Sequence, residues 1–153
     1  MLSDRLIQAI EHNAEELTRA LIEDIQSNRR TPSYHQLSRE TIHHRVYGVY
    51  KNLGTWLNSK NDDDIEAAYT ALGKRRESEG VPLNELVYAL ILTKYHLRDY
   101  IRGAGLIHSA VDLYQEIEFQ RRVGQFFDKA TYFAVKAYEL EAAFQETATK
   151  DMR

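Results

Sequence analysis

With cysteine absent, histidine is the residue type best suited to hold a metal or a haem. Glu40-Thr41-Ile42-His43 is an E-x-x-H, a spacing that sets a carboxylate and an imidazole on one helical face. A carboxylate-bridged metal centre needs two such motifs and further glutamates. No other histidine has an acid three residues before it: Ala9, Pro32, Thr41, Thr93 and Gly105 stand there. Glu40 and His43 are therefore metal-ligand candidates if acids from other helices join them, and a solvated helix face otherwise. His43 and His44 point about 100° apart on a helix and cannot easily share one ion. With His35 they read as surface histidines.

His96 sits in the middle of LTKYHLRDYI, residues 92–101. The chain has the length and helical content of a globin, and a haem protein needs an axial histidine facing an apolar pocket. His96 lies beside the apolar stripe of its helix, about 100° from Leu97. It is the candidate axial ligand; the competing reading is a boundary histidine bonded to a neighbouring helix. Lys74, Arg75, Arg76, Lys94, Arg98 and Arg102 would form a basic patch if their two helices are neighbours, extended by Arg121 and Arg122. Their other reading is pairing with the interspersed Glu77, Glu79, Glu85, Asp99 and Glu118. The chain has no G-x-S-x-G, no glycine-rich phosphate loop and no H-E-x-x-H. No enzymatic activity and no bound cofactor are expected.

Helices must position these groups. Leu6, Ile10, Asn13, Leu17, Leu21 and Ile25 recur at steps of three and four, predicting one helix from about Leu2 to Gln26. Ser27 to His35 reads as a polar linker around Pro32. A second helix starts near Gln36 to Ser38, with Ile42, Val46, Val49, Tyr50, Leu53, Trp56 and Leu57 on its apolar side. Asn58 to Asp64 is a turn, and a third helix covers about Ile65 to Glu79. Gly80 suits the left-handed position after a helix end, and Pro82 suits the start of the next helix. That fourth helix runs to about Arg102, with Leu83, Leu86, Val87, Leu90, Ile91, Leu97 and Ile101 inward.

Ser109 with Asp112 opens a final helix that nothing but Gly124 interrupts before about Thr147. The stretch from Glu118 to Gly124 is where it could bend or break. No segment alternates apolar and polar residues, so the expected fold is all-α. It is an antiparallel bundle of about five helices with a long C-terminal one. Apolar residues cover more than one side of the last helix, as in a helix buried on several sides. That predicts a subunit contact, with Phe126, Phe133 and Tyr138 as its residues and a homodimer as the state.

A chain of 153 residues fits one domain, residues 1–153, able to bury a core without disulfides. A net charge of -3 speaks against a general nucleic-acid binder, which usually carries a basic excess. No apolar run approaches the roughly 18 residues a membrane span needs, and the charged N-terminus is not a signal peptide. The cytoplasm is the expected location.

One feature order is distinctive. Arg75-Arg76 precede Gly80, then come Val81-Pro82-Leu83-x-x-Leu86 and an apolar helix ending KYHLRDYI. Phe126-Phe127-Asp128-Lys129-Ala130 and Tyr138-Glu139 follow on the last helix. This order resembles the RsbRD N-terminal domain family, most clearly from about Tyr69 to Tyr138. The resemblance implies a helical sensory or input module of bacterial signalling. Such modules stand ahead of output domains in stress-response co-antagonists, histidine kinases and transcription regulators, and they generally associate as dimers. It implies action through an output domain or a partner signalling protein, and it supplies no ligand residues. Because no output domain follows the last helix here, the chain is expected either to act through a partner or to be the input part of a longer regulator. The alternatives from the residues themselves are a haem-binding globin-like sensor using His96 and a carboxylate-bridged metal protein using Glu40 and His43.

Overall fold

A computed structural model describes residues 1–58 and 61–151. Among them are seven α-helices and no strand: α1 (Leu2–His12), α2 (Ala14–Ser27), α3 (Arg39–Lys51), α4 (Leu53–Leu57), α5 (Asp63–Ser78), α6 (Leu83–Gly103) and α7 (Ala110–Asp151). The all-α class and the long C-terminal helix agree with the sequence reading.

Two predicted helices are each divided by an asparagine. At Asn13, between α1 and α2, the side-chain Nδ2 donates to the Ala9 carbonyl at 2.8 Å and to the Tyr100 hydroxyl at 2.9 Å. At Asn52, between α3 and α4, Nδ2 donates to the Gly48 carbonyl at 3.2 Å. In both, a short amide side chain reaches the carbonyl four residues back and competes with regular helical bonding there. The supposed linker around Pro32 also carries structure. Pro32–Gln36 is a 3-10 turn that inserts Tyr34, 2% exposed, into the core. Thr31 fastens its start by donating from Oγ1 to the Ile25 carbonyl at 2.7 Å.

The α5–α6 connection follows expectation. Gly80 has φ +76, the Val81 N–H reaches the Arg76 carbonyl and the Gly80 N–H reaches that of Glu77. That double bond pattern is a Schellman helix end, and Val81 seals it by burying its side chain. Helix α6 then runs back beside α2, as His96 bonded to Asp24 and Tyr88 bonded to Arg30 show. Helices α5 and α7, two steps apart, run the same way: Asp62 pairs with Lys129, Gly73 meets Ala134, and Val81 meets Tyr138.

Helix α7 is unbroken through Gly124 and spans 42 residues, about 60 Å. Phe119, Val123, Phe126, Phe127, Ala130, Ala134 and Ala137 bury its inner face. Trp56, Tyr69, Phe126 and Phe127 form an aromatic cluster with ring centroids 5.1–6.5 Å apart. After Ala137 no residue of α7 is buried, so the final three to four turns stand beyond the bundle.

Candidate functional site

The stripe Ile65, Tyr69, Leu72 turns α5 toward the core, and the next residue on it at the same spacing is Arg76. An inward arginine results: Arg76 is 3% exposed. Its guanidinium lies over the Tyr34 ring at 5.5 Å from the centroid, and one terminal nitrogen donates to Glu79 Oε1 at 2.7 Å. Its Nε is buried without a hydrogen-bond partner. Beside it a cavity of about 30 Å³ opens among α2, the 3-10 turn, α3, α5 and α6. Arg76, Arg45, Tyr34, Tyr69 and Thr93 give it polar groups, and Ile42, Leu86 and Leu90 belong to its apolar wall.

The charges around this cavity are incompletely matched. Glu79 serves Arg76 and, at 3.6 Å, Arg75. Glu85, itself buried, is occupied by Ser33, whose N–H and Oγ donate to its two oxygens at 2.7 and 2.8 Å. Arg45 has no acid within ion-pair distance among the described residues. Burial pulls its guanidinium below the ordinary value; Tyr69 opposes that, and the positive charges of Arg76 and Arg75 reinforce it. Burial pushes the Tyr34 hydroxyl up to about 12 against the pull of Arg76, and pushes Tyr69 up against the pull of Arg45. Both phenols therefore remain protonated hydrogen-bond donors at neutral pH.

The residues singled out in the sequence lie elsewhere. His96, partly buried, places Nε2 2.7 Å from Asp24 Oδ2, a bond to the neighbouring helix α2. His43 bonds Glu15 at 3.1 Å and stacks on Tyr47, and with Glu40, His44 and Arg19 it borders an open surface groove. Among the described residues no three His, Asp or Glu side chains gather closely enough to hold a metal ion. The basic cluster is divided: Arg76 is interior, while Arg98 and Arg102 border a different groove with Arg121. Helix α6 carries them about 22–28 Å away from its start at Leu83. Arg121 is taken by Glu118, and Arg98 donates to Gln120 at 3.2 Å.

Of the three residues expected at a subunit contact, Phe126 is buried in the chain's own aromatic cluster. Phe133 is half-buried against the core, and Tyr138 donates its hydroxyl to the Val81 carbonyl at 2.6 Å. Open on the second half of α7 are Tyr132, Leu140 and Phe144, at 60, 62 and 68% exposure, while Val111, Leu113, Tyr114 and Ile117 are open near its start. Phe126, Ala130, Phe133, Ala137, Leu140 and Phe144 alternate steps of four and three, the seam of a coiled coil. The bundle covers the start of that seam and leaves its end uncovered.

Arg45 was missed, and Arg76 was read as part of a basic patch or of its ion pairs rather than as a buried group, because their charge argues for a surface place. The signal was the spacing, which sets Arg76 in line with Ile65, Tyr69 and Leu72, and Arg45 beside Ile42, Val46 and Val49.

The chain belongs to the family described as RsbT co-antagonist protein rsbRD N-terminal domain, whose model matches residues 4–150. That is a family of regulatory signalling domains, as the sequence resemblance implied. No curated protein and no solved structure matches the chain. No helix among the described residues is long and apolar enough to cross a membrane.

Proposed function

We propose that the chain is a cytoplasmic, non-enzymatic input domain that works as a homodimer joined along the end of α7. It passes changes in helix packing through that helix to an output domain or partner signalling protein. The observation carrying this reading is the heptad seam of α7, covered by the bundle through Ala137 and open at Leu140 and Phe144. Two large apolar side chains one helical turn apart on an otherwise polar helix end have much to gain from a second helix. In this reading Phe133 and Tyr138 border the contact, where the bundle ends and the pair of helices begins.

The same helix is tied to the core where the seam leaves the bundle, at Ala134, Ala137 and Tyr138. Gly73 and Val81 both touch it, so a shift of α5 or of the α5–α6 turn is transmitted to the projecting segment. A relay of this kind requires an effector with different affinity for two packings. Sedimentation equilibrium tests the assembly: the wild-type chain is expected at twice its monomer mass of 17.8 kDa, and Leu140→Asp at that of a monomer. A wild-type monomer, or a dimer indifferent to Leu140→Asp, would overturn the reading.

A further inference from the structure

The cavity beside Arg76 has the chemistry of an anion site. Its volume of about 30 Å³ is twice or more the roughly 10–15 Å³ that one water needs. A species of three or four heavy atoms fits; a nucleotide, a sugar or a haem does not. Its wall carries two guanidiniums, of which Arg45 has no acid partner among the described residues and Arg76 has a buried, unpartnered Nε. Tyr34 and Tyr69 belong to the same wall. Each of these side chains can donate a hydrogen bond; of the nearby carboxylates, Glu79 pairs with Arg76 through one terminal nitrogen and Glu85 is held by Ser33. Arg45 is therefore the cation of this wall that has no acid within ion-pair distance among the described residues.

We propose that this cavity binds a small planar monovalent anion, a carboxylate or oxyanion of the size of formate, nitrate or bicarbonate. A guanidinium presents its N–H groups in a flat fork, and flat, Y-shaped oxyanions match that fork in two parallel bonds. The apolar wall of Ile42, Leu86 and Leu90 suits a thin ligand and gives no partner to a hydrated cation. A water molecule could accept from the Arg76 Nε, but it would give Arg45 no counter-charge, and partly desolvated charge is costly to leave so. Arg45 lines the cavity and is only half-buried, so this side of the site lies near the surface. The site goes beyond the dimer reading. As the source of the stimulus it rests on that reading, because the cavity is walled by α5 and α6, the helices joined at the turn that touches α7.

The test is a titration of the chain with sodium formate, sodium nitrate and sodium bicarbonate in turn, at constant ionic strength made up with chloride. The arginine side-chain N–H resonances and the thermal midpoint are the readouts. Saturable movement of the Arg76 Nε–H signal with a matching rise in midpoint supports the site. Whichever of the three anions does this assigns the ligand as carboxylate, nitrate-like or carbonate-like. Arg45 carries no ion pair, so Arg45→Gln is expected to fold and to bind at least tenfold more weakly, the loss of a charge-assisted bond. Tyr69→Phe, which keeps the ring, is the second variant and is also expected to weaken binding. A response that grows linearly without saturation, or one unchanged in both variants, would overturn the proposal. The same titration on Leu140→Asp keeps the two claims apart: binding there supports the site whatever the oligomeric state.

Discussion

Gly73 on α5 lies so close to Ala134 on α7 that a Cβ at position 73 would stand 2.2 Å from the Ala134 carbonyl oxygen. The same atom would stand 3.1 Å from the Ala137 Cβ. Backbone meets backbone here, and neither can swing aside as a long side chain could. The small residues Ala130, Ala134 and Ala137 on α7 make the approach possible, which binds the helix that carries Arg76 to the helix that leaves the bundle.

Replacing that glycine should therefore loosen the whole molecule. Gly73→Ala is expected to cost about 3 kcal/mol or more, the upper end of core overpacking, because the obstacle is main chain. Gly124, inside α7, has nothing within 4 Å of an added Cβ. Gly124→Ala should stabilise the chain by roughly 0.5–1 kcal/mol through its better helix propensity. Denaturant unfolding of the two variants checks both signs; equal effects would contradict the packing described.

Much of the bundle could be read from apolar spacing alone. The stripes of α2 and α3 follow from periodicity, and the glycine turn at Gly80 from the residue type that accepts a positive φ. On α6, Leu86, Leu90, Leu97 and Ile101 face inward as read, but Val87 and Ile91 are only partly buried and Ala89, Leu92 and Thr93 take inner places. What escaped the sequence has physical causes. Asn13 and Asn52 interrupt helices through side-chain bonds to carbonyls four residues back, and an asparagine in the middle of a strong stripe gives no other warning. Tyr34 lies in a stretch of polar composition, although Pro32 starts a short turn that drives it inward. Arg76 continues a buried stripe while carrying a charge, and residue type outweighed position. The projection of α7 depends on where the other helices end, which no local pattern encodes.

Alkaline titration should reveal the buried phenols. The folded chain holds Tyr34 at about 12 and pushes Tyr50 and Tyr69 higher, all by burial. Raised folded values contribute stability that is fully present below the unfolded value near 10 and is lost as pH climbs through about 12. Of the ten tyrosines, at least these three are expected to ionise only as the helices melt. Tyrosinate absorbance followed beside circular dichroism is the check; ionisation of all ten with helix content intact would contradict it.

At the acid end the pair of Asp24 and His96 sets the direction. Burial raises the Asp24 carboxyl, but bonds from His96 and Asn28 and the His96 charge outweigh it and leave the group below its ordinary value. A lowered folded value gives stability present above the unfolded value near 3.9 and lost as pH falls through the folded one. Asp24→Asn is expected to flatten the fall in melting temperature below about pH 4 relative to the wild-type chain. A fall of unchanged steepness would remove Asp24 from the acid response.

The seam on α7 allows the most direct measurement, because a chain without cysteine accepts a single reporter thiol with no background. Phe144→Cys places that thiol on the exposed end of the seam, while Glu139→Cys places it on an exposed position away from it. Under mild oxidation, with products resolved by denaturing, non-reducing electrophoresis, Phe144→Cys is expected to run as a covalent dimer and Glu139→Cys as a monomer. Equal cross-linking of the two, or none of Phe144→Cys in a chain that sediments as a dimer, would contradict a subunit contact at the end of α7.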